Sequence, residues 1–274
     1  MRKAPDQFGR KIRIAGTPLE HLIWPRRLEV LRDGSMHPLD NPIFNALRTC
    51  QAHFAETYQL LWRFPPEVTP LGGFVETNEA GIDSLRGYLA SGGALGILVP
   101  AKIDAPRGLE IILEGPLLQM ILENASDLPG IEKAHDFIEL READVPEMVA
   151  LATLTKPGPF GTRTREMGTY LGIRKDGMLA AMAGERMKLP GYTEISAVCT
   201  HPDHLGHGYA GFLMTILAQR IRARGEVPFL HVRPENTRAV HLYERLGFTR
   251  RLLYHYVVFR AAKPEEVPTA SMQI

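Results

Sequence analysis

Three groups of residues have types and spacings that could do chemistry. The first is the run Leu205-Gly206-His207-Gly208-Tyr209-Ala210. Two glycines one residue apart let a backbone come close to a ligand with no Cβ in the way. A helix starting directly behind them would add free N–H groups and its macrodipole, an anion site suited to phosphate. The second group is Asn236, Ala239, Tyr243, Gly247 and Phe248. Asn236 suits a helix start and Gly247 a helix end. Tyr243 follows Asn236 by about two turns and returns to nearly the same face. The third group lies on the segment that leads into the glycine run. Alternation puts Glu194, Ser196, Val198 and Thr200 on one side of a strand and Cys199 on the other. A carboxylate such as Glu194 could accept a proton, and a general base contributes ~10²–10⁴-fold. Cys199 has no histidine at a defined spacing to activate it and reads as a small buried strand residue. The ten histidines form no His-x-x-x-His or similar pattern, so no metal is assigned.

These groups need elements to hold them. Residues 195–200 read as a strand and 208–224 as a helix with Phe212, Leu213, Ile216, Leu217 and Ile221 on one side. A strand over 228–232, a helix over 239–246 and a strand over 252–259 follow, the last offering a sheet edge for pairing. Upstream, 137–140 reads as a strand. Asp144 caps a helix with Pro146 in its first turn and Met148, Val149 and Leu151 on the buried side. Residues 156–159 form a loop and 164–168 a short helical turn. Strands over 170–174 and 178–187 flank the turn Lys175-Asp176-Gly177.

The first half is plainer. Ile43, Leu47, Phe54, Tyr58 and Leu61 recur near helical spacing, which predicts a helix from Pro42 to Trp62 capped by Asn41. A short strand at Phe74 and Val75, a helix over 81–90 and a buried strand over 95–99 follow. Residues 117–122 are strand or helix. No catalytic motif occurs in this half, and its alternating elements favour mixed α/β layers. The turn-rich stretch 124–133 marks a boundary. The expected organisation is a loose extension over 1–35 with a short helix near 28–31, an α/β lobe over 36–130, a domain over 136–260 and a frayed tail over 261–274. Met36 could serve as an alternative start.

Composition excludes several classes. The 274 residues are 45% hydrophobic and 23% charged, which excludes a disordered chain. The net charge of +1 lacks the basic field of a nonspecific nucleic-acid binder. The most apolar stretches are short or broken by Glu114, Gly115 and Pro116, so no membrane span is expected. The basic N-terminus has no apolar stretch behind it and makes a poor secretory signal. Two cysteines, Cys50 and Cys199, are too few for a disulfide scaffold, and a reducing cytoplasm is the simplest setting.

The glycine run and the tyrosine helix together resemble the GNAT superfamily of acyl-CoA-dependent acyltransferases. The family's pyrophosphate loop, Gln/Arg-x-x-Gly-x-Gly/Ala, is similar to Leu205–Ala210. Its Asn-x-x-Ala-x-x-x-Tyr-x-x-x-Gly-Phe helix is matched at Asn236, Ala239, Tyr243, Gly247 and Phe248. The resemblance covers about residues 136–260. It implies a mixed α+β fold with a central, mostly antiparallel sheet flanked by helices, preceded by a smaller lobe that could be a degenerate copy. It implies acetyl-CoA as co-substrate, held by backbone N–H groups of Val198, Cys199 and Thr200, by Leu205, Gly206, His207, Gly208, Tyr209 and Ala210, and by Asn236 and Tyr243. It further implies Tyr243 as general acid and Glu194 as base in direct transfer to a primary amine, on a small molecule or a peptide N-terminus. One position departs from the pattern: Leu205 stands where Gln or Arg is usual, which removes a polar contact. The competing reading is a non-catalytic CoA-binding module. Residues 193–202 and the Lys156-Pro157-Gly158-Pro159-Phe160 loop look most like the glycine N-acyltransferase-like branch.

Overall fold

Alternating apolar positions build eleven strands among the described residues, and amphipathic stretches build the helices that cover them. The computed structural model describes residues 37–124, 128, 130–131 and 134–263. A small antiparallel sheet contains β1 (Glu56–Tyr58), β2 (Leu61–Arg63) and β3 (Gly72–Gly73). The large sheet contains β4 (Leu95–Val99), β5 (Leu109–Ile121), β6 (Ile138–Glu139), β7 (Tyr170–Lys175), β8 (Met178–Leu189), β9 (Tyr192–Thr200), β10 (Val227–Val232) and β11 (Thr249–Ala261). Their order is β4-β11-β5-β10-β9-β8-β7-β6, and only β9 and β10 run parallel. The helices among the described residues are α1 (Pro42–Arg48), α2 (Glu79–Leu89), α3 (Val145–Thr155), α4 (Tyr209–Ala223) and α5 (Thr237–Arg245). A mostly antiparallel sheet flanked by helices is the architecture expected from the sequence. No described helix is long and apolar enough to cross a membrane.

The two faces of the large sheet bury different helices. Leu213, Leu217 and Ile221 of α4 and Val240 and Tyr243 of α5 cluster with Ile173, Ala181, Ile195 and Leu230. On the other face, Ile43 and Leu47 of α1 meet Ile121, Met187 and Phe229. Met148 and Leu151 of α3 meet Tyr170, Met182 and Cys199 on that same side.

Several expectations change. The helix predicted over 42–62 stops at Arg48. A 3-10 turn at Ala52–Phe54 and the β1–β2 hairpin take the remainder, with Gln59 at φ 53 making the turn. The spacing of Phe54, Tyr58 and Leu61 mimicked a helix, but β-favouring Thr57, Tyr58 and Trp62 pair across a hairpin instead. Asn41 precedes α1 without capping it, and its side-chain amide donates to the Phe74 carbonyl at 2.6 Å. The strand expected at Phe74 lies at Gly72–Gly73. Residues 117–122 are strand, part of a β5 that runs through Pro116. Pro116 pairs with His255 of β11, while β10 reaches only as far as Leu118, so the missing N–H falls where β5 has one neighbour. The C-terminal strand is no edge, because β11 lies between β4 and β5.

The boundary expected over 124–133 falls partly outside the described residues, as do the extension through residue 36, with its possible helix and start site, and the tail from 264. Strands from before and after that boundary share one sheet. β5 pairs with both β10 and β11, and β4 with β11.

Candidate functional site

β9 and β10 are parallel neighbours over only three positions: Tyr192 with Val227, Thr193 with Pro228 and Glu194 with Phe229. β9 runs on to Thr200 and β10 to Val232, so the two strands part beyond Glu194. The gap leaves backbone groups on the β10 side of β9 without a strand partner. Val198, Cys199 and Thr200 lie on this stretch.

A bulge sits at the opening. Ala197 has φ 52, and the β8–β9 register slips between the pairs Met182–Cys199 and Gly184–Ser196. The slip reverses the alternation read from sequence. Ile195 and Val198 pack on the α4 face, whereas Ala197 and Cys199 pack on the α3 face. Val198 is therefore not on the side of Glu194, and Cys199 is. Burial pushes the Cys199 thiol up to about 11, so it stays protonated at neutral pH.

β9 leads through a 3-10 turn at Pro202–His204 into the glycine run. Gly206 has φ +85 and Gly208 φ +80, and a Cβ at either would meet nothing within 4 Å. Glycine is needed there for the left-handed backbone rather than for space. Gly208 is the N-cap of α4 and offers no side-chain cap, so the first amides of this 15-residue helix face outward. Loop geometry, helix start and strand gap together fit a phosphate group trailed by a slender chain. Leu205 is 46% exposed. His207 folds back on the loop, with Nδ1 3.1 Å from the Leu205 carbonyl and its ring stacked on Tyr209.

Tyr243 is set by the capping of α5. Asn236 Oδ1 accepts from the Ala239 amide at 3.2 Å. At the other end Phe248 N donates to the Tyr243 carbonyl and Gly247 N to the Glu244 carbonyl, both at 3.0 Å, with Gly247 at φ +87. This is the Schellman arrangement, and its usual apolar contact is the packing of Phe248 on Tyr243. Burial raises the Tyr243 phenol to about 12. The phenol is thus protonated and able to donate.

Glu194 sits where the strands part, but it is not free. It is fully buried; Arg186 Nε donates to Oε2 and Arg186 Nη2 to Oε1, each at 2.7 Å. His231 Nδ1 lies 2.8 Å from Oε1 and the Met187 amide 3.3 Å from Oε2. Burial alone would raise its pKa, yet the Arg186 charge and hydrogen bonds, helped by His231, hold it down near 2. A carboxylate so placed has little affinity for a proton.

Partners fix the His231 tautomer. Arg251 Nη1 donates to Gln119 Oε1 at 2.8 Å, so Gln119 Nε2 is the amide's donor end. That nitrogen reaches the Leu39 carbonyl and His231 Nε2, each at 3.1 Å. His231 therefore accepts at Nε2 and donates from Nδ1 to Glu194. Sequence reasoning missed Arg186, His231 and Gln119. The available signal was the charged pair Glu185-Arg186 inside a largely apolar strand, where both are buried.

Comparison with known proteins decides the family. The family model described as FR47-like protein matches residues 170–257. A solved structure from Novosphingobium aromaticivorans, assigned as a GNAT-family acetyltransferase, is 36% identical over 83% of this chain and 100% of its own, with a TM-score of 0.76. The chain belongs to the GNAT family. A coverage of that size cannot be met by residues 136–260 alone, so the shared structure takes in strands of the first half. A GCN5-related N-acetyltransferase from Kribbella flavida shares the fold at 18% identity, over 80% of this chain and 96% of its own, with a TM-score of 0.53. No match is found among curated protein sequences.

Proposed function

We propose that this GNAT protein is an N-acyltransferase that moves an acetyl or related acyl group from acetyl-CoA to a primary amine by direct attack. The observation that carries the reading is the parting of β9 and β10 beside the uncapped start of α4. The amides of Gly206, His207, Gly208, Tyr209 and Ala210 would take the pyrophosphate, and backbone groups of Val198, Cys199 and Thr200 the pantetheine arm and thioester carbonyl. Donors aimed at the carbonyl oxygen stabilise the charge that develops there. Asn236 acts through α5, whose start it caps.

In the transfer the amine nitrogen bonds to the thioester carbon and the carbon–sulfur bond breaks. Tyr243 gives its proton to the departing thiolate, and the nitrogen sheds a proton to water. The sequence marks Glu194 as the base, but its saturated oxygens and low pKa favour a different assignment. We assign it instead to hold β9 and β10 together where they begin to part.

The reading extends to organisation and setting. Residues 136–260 would form the acyltransferase unit, with 36–130 completing its sheet and walling the acceptor side. Unpaired Cys50 and Cys199 fit a reducing cytoplasm. The glycine N-acyltransferase-like branch remains our choice within the family, on the strand and loop stretches that resemble it.

The test is a thermal melt with and without acetyl-CoA, followed by thiol release over an amine panel. Ligand at 100 times its dissociation constant should stabilise the fold by ~2.7 kcal/mol. Stabilisation with thiol release supports the reading. Stabilisation without release by any amine would favour the non-catalytic module, and no stabilisation would reject the acetyl-CoA site.

A further inference from the structure

One lip of the opening between β9 and β10 carries a cation that the chain leaves uncommitted. Arg233 follows Val232, the last residue of β10. Glu194 and Phe229 form the last pair between the two strands. Val198 comes four residues after the first and Arg233 four after the second, so they stand on opposite lips. Leu230 and Val232 pack on the α4 face, and Phe229 packs on the α1 face. Alternation turns Arg233 to the α1 face as well. Its surroundings agree. Nη1 lies 3.0 Å from where a Cβ of Gly115 would be, and Gly115 pairs with Tyr256, which packs on the α1 side.

Gly115 makes the seat for this side chain. A Cβ there would press on the guanidinium, and apart from its chain neighbours no other described atom lies within 4 Å of that position. Beyond Leu118, β5 is paired with β11 alone. The guanidinium thus rests on a stretch of sheet that is otherwise bare, beside the opening.

Its charge is unused. Among the described residues the guanidinium makes no hydrogen bond, and its ion pair with Glu235 is long, at 3.7 Å. Both side chains are open to solvent, at 39% and 62%, so a ligand can displace that contact. Glu114 does not neutralise it. Glu114 pairs with Val257, so it stands on the other face, where Lys102 and His255 hold it. Arg186 and Arg251, by contrast, are both tied to carboxylates. The backbone of Arg233 is fixed although its side chain is not. Its carbonyl accepts from the Asn236 amide at 3.0 Å, in the turn that starts α5 and so sets Tyr243.

We propose that Arg233 binds a carboxylate of the acceptor, so that the protein acylates amines that also carry an acid group. The inference rests on the acyltransferase reading and names its substrate class. A guanidinium stays charged at every working pH, and its fork of N–H groups matches the two oxygens of a carboxylate. Held there, the acceptor has its amine beside the thioester and its acid on the open α1 face. No bond is made or broken at Arg233. It is a positioning residue, and the transfer is the one given above.

The test uses pairs of amines that differ only in carboxylate against carboxamide, such as β-alanine and its amide, with O-phosphoethanolamine as a third arm. Wild type and Arg233→Gln are compared in the full chain. The variant should melt with wild type, since an exposed ion pair adds little, and it should keep the acetyl-CoA shift. Its kcat/KM for the acids should fall by about 10- to 100-fold, the worth of a charge-assisted hydrogen bond, mainly through KM. The amides and the KM for acetyl-CoA should not change. Arg233→Lys should recover part of the loss, as it keeps the charge without the fork. The acid-to-amide preference is compared between proteins, so differences in amine pKa cancel. An equal preference in wild type and Arg233→Gln would overturn the inference and leave the acyltransferase reading standing. A raised KM for acetyl-CoA with unchanged acceptor kinetics would overturn it by assigning Arg233 to the cofactor. Faster turnover of the phosphate arm than of any acid, lost in Arg233→Gln, would overturn the carboxylate in favour of a phosphorylated amine. Wild-type protein that releases no thiol with any amine would overturn both readings.

Discussion

Replacing Glu194 by Gln keeps the shape of the side chain and removes its charge. In the native protein the carboxylate takes two hydrogen bonds from Arg186 at 2.7 Å and one from His231 at 2.8 Å. Gln offers one acceptor oxygen and turns an amide NH2 toward a guanidinium. Arg186 is 7% exposed, so it becomes a buried charge without its counter-charge. Breaking a buried pair from one side costs ~3–5 kcal/mol. The proton equilibrium gives a separate figure. Glu194 lies near 2 in the folded protein against an ordinary 4.5. At ~1.36 kcal/mol per pH unit, that difference is worth about 3 kcal/mol. No discount for solvent applies, because Glu194 is 0% exposed. With ~2–4 °C lost per kcal/mol, the melting temperature of Glu194→Gln should fall by roughly 6–20 °C at pH 7.

The sign of the pH dependence follows. A folded pKa below the unfolded one stabilises fully above about 4.5 and loses that stabilisation as pH falls toward about 2. Calorimetric melts should therefore show the gap between wild type and variant widest at neutral pH and narrower at pH 4. The double variant Arg186→Met, Glu194→Leu should recover much of the loss, since removing both charges is often near neutral. A Glu194→Gln melt within 2 °C of wild type at pH 7 would refute the reasoning. Kinetics separates the strut from a base. The acidic limb of the rate profile should follow the amine's own pKa in both proteins, and a limb confined to wild type would restore Glu194 as the base.

Three other outcomes are expected. Tyr243→Phe keeps the packing on Phe248 and removes the proton donor, so thiol release should drop by ~10²-fold or more with the acetyl-CoA melting shift retained; equal turnover would remove Tyr243 from the chemistry. Gly208→Ala forces a side chain into a left-handed backbone at a cost of ~1–2 kcal/mol and should weaken acetyl-CoA binding, both read from melts with and without ligand. Leu205→Arg adds a charge-assisted contact of ~1.5–3 kcal/mol and should tighten acetyl-CoA binding tenfold or more by calorimetry, with the gain reduced by salt; unchanged affinity would place the pyrophosphate away from this residue.

What was legible in the sequence is what is local. Asn236, Gly247 and Phe248 bond or pack within their own helix, so their spacing alone marks the ends of α5. Gly206 and Gly208 likewise sit in the conformations that glycine signals. The strands β7 to β9 and helix α4 were visible because one face of each is apolar. The hairpin at 56–63 was not, since three aromatic and aliphatic positions satisfy a helical period as well as a paired one. The setting of Glu194 was hidden for a different reason. It depends on Arg186 across a strand pair, a spacing that the chain itself does not fix. The bulge at Ala197 was also silent, because alanine carries no signal for a φ of 52.

A sheet that admits a ligand between two strands must open at one place and stay closed beside it. Backbone pairing holds β9 and β10 as far as Glu194 and Phe229. One step on, His231 crosses the opening to Glu194, and Gln119 of β5 holds His231 from the other side. Arg251 of β11 holds Gln119 and reaches Asp40, ahead of α1. These side chains form a tie across five strands, from Arg186 on β8 to Arg251 on β11, at the level where the backbone bonds stop. A carboxylate with a low pKa suits this place better than one poised to accept a proton, because a strut that neutralised at working pH would let the gap spread. In the proposed acyltransferase the first half of the chain is then part of the site. Without β5 and Asp40 the tie has no anchor, and the opening between β9 and β10 would have no fixed width.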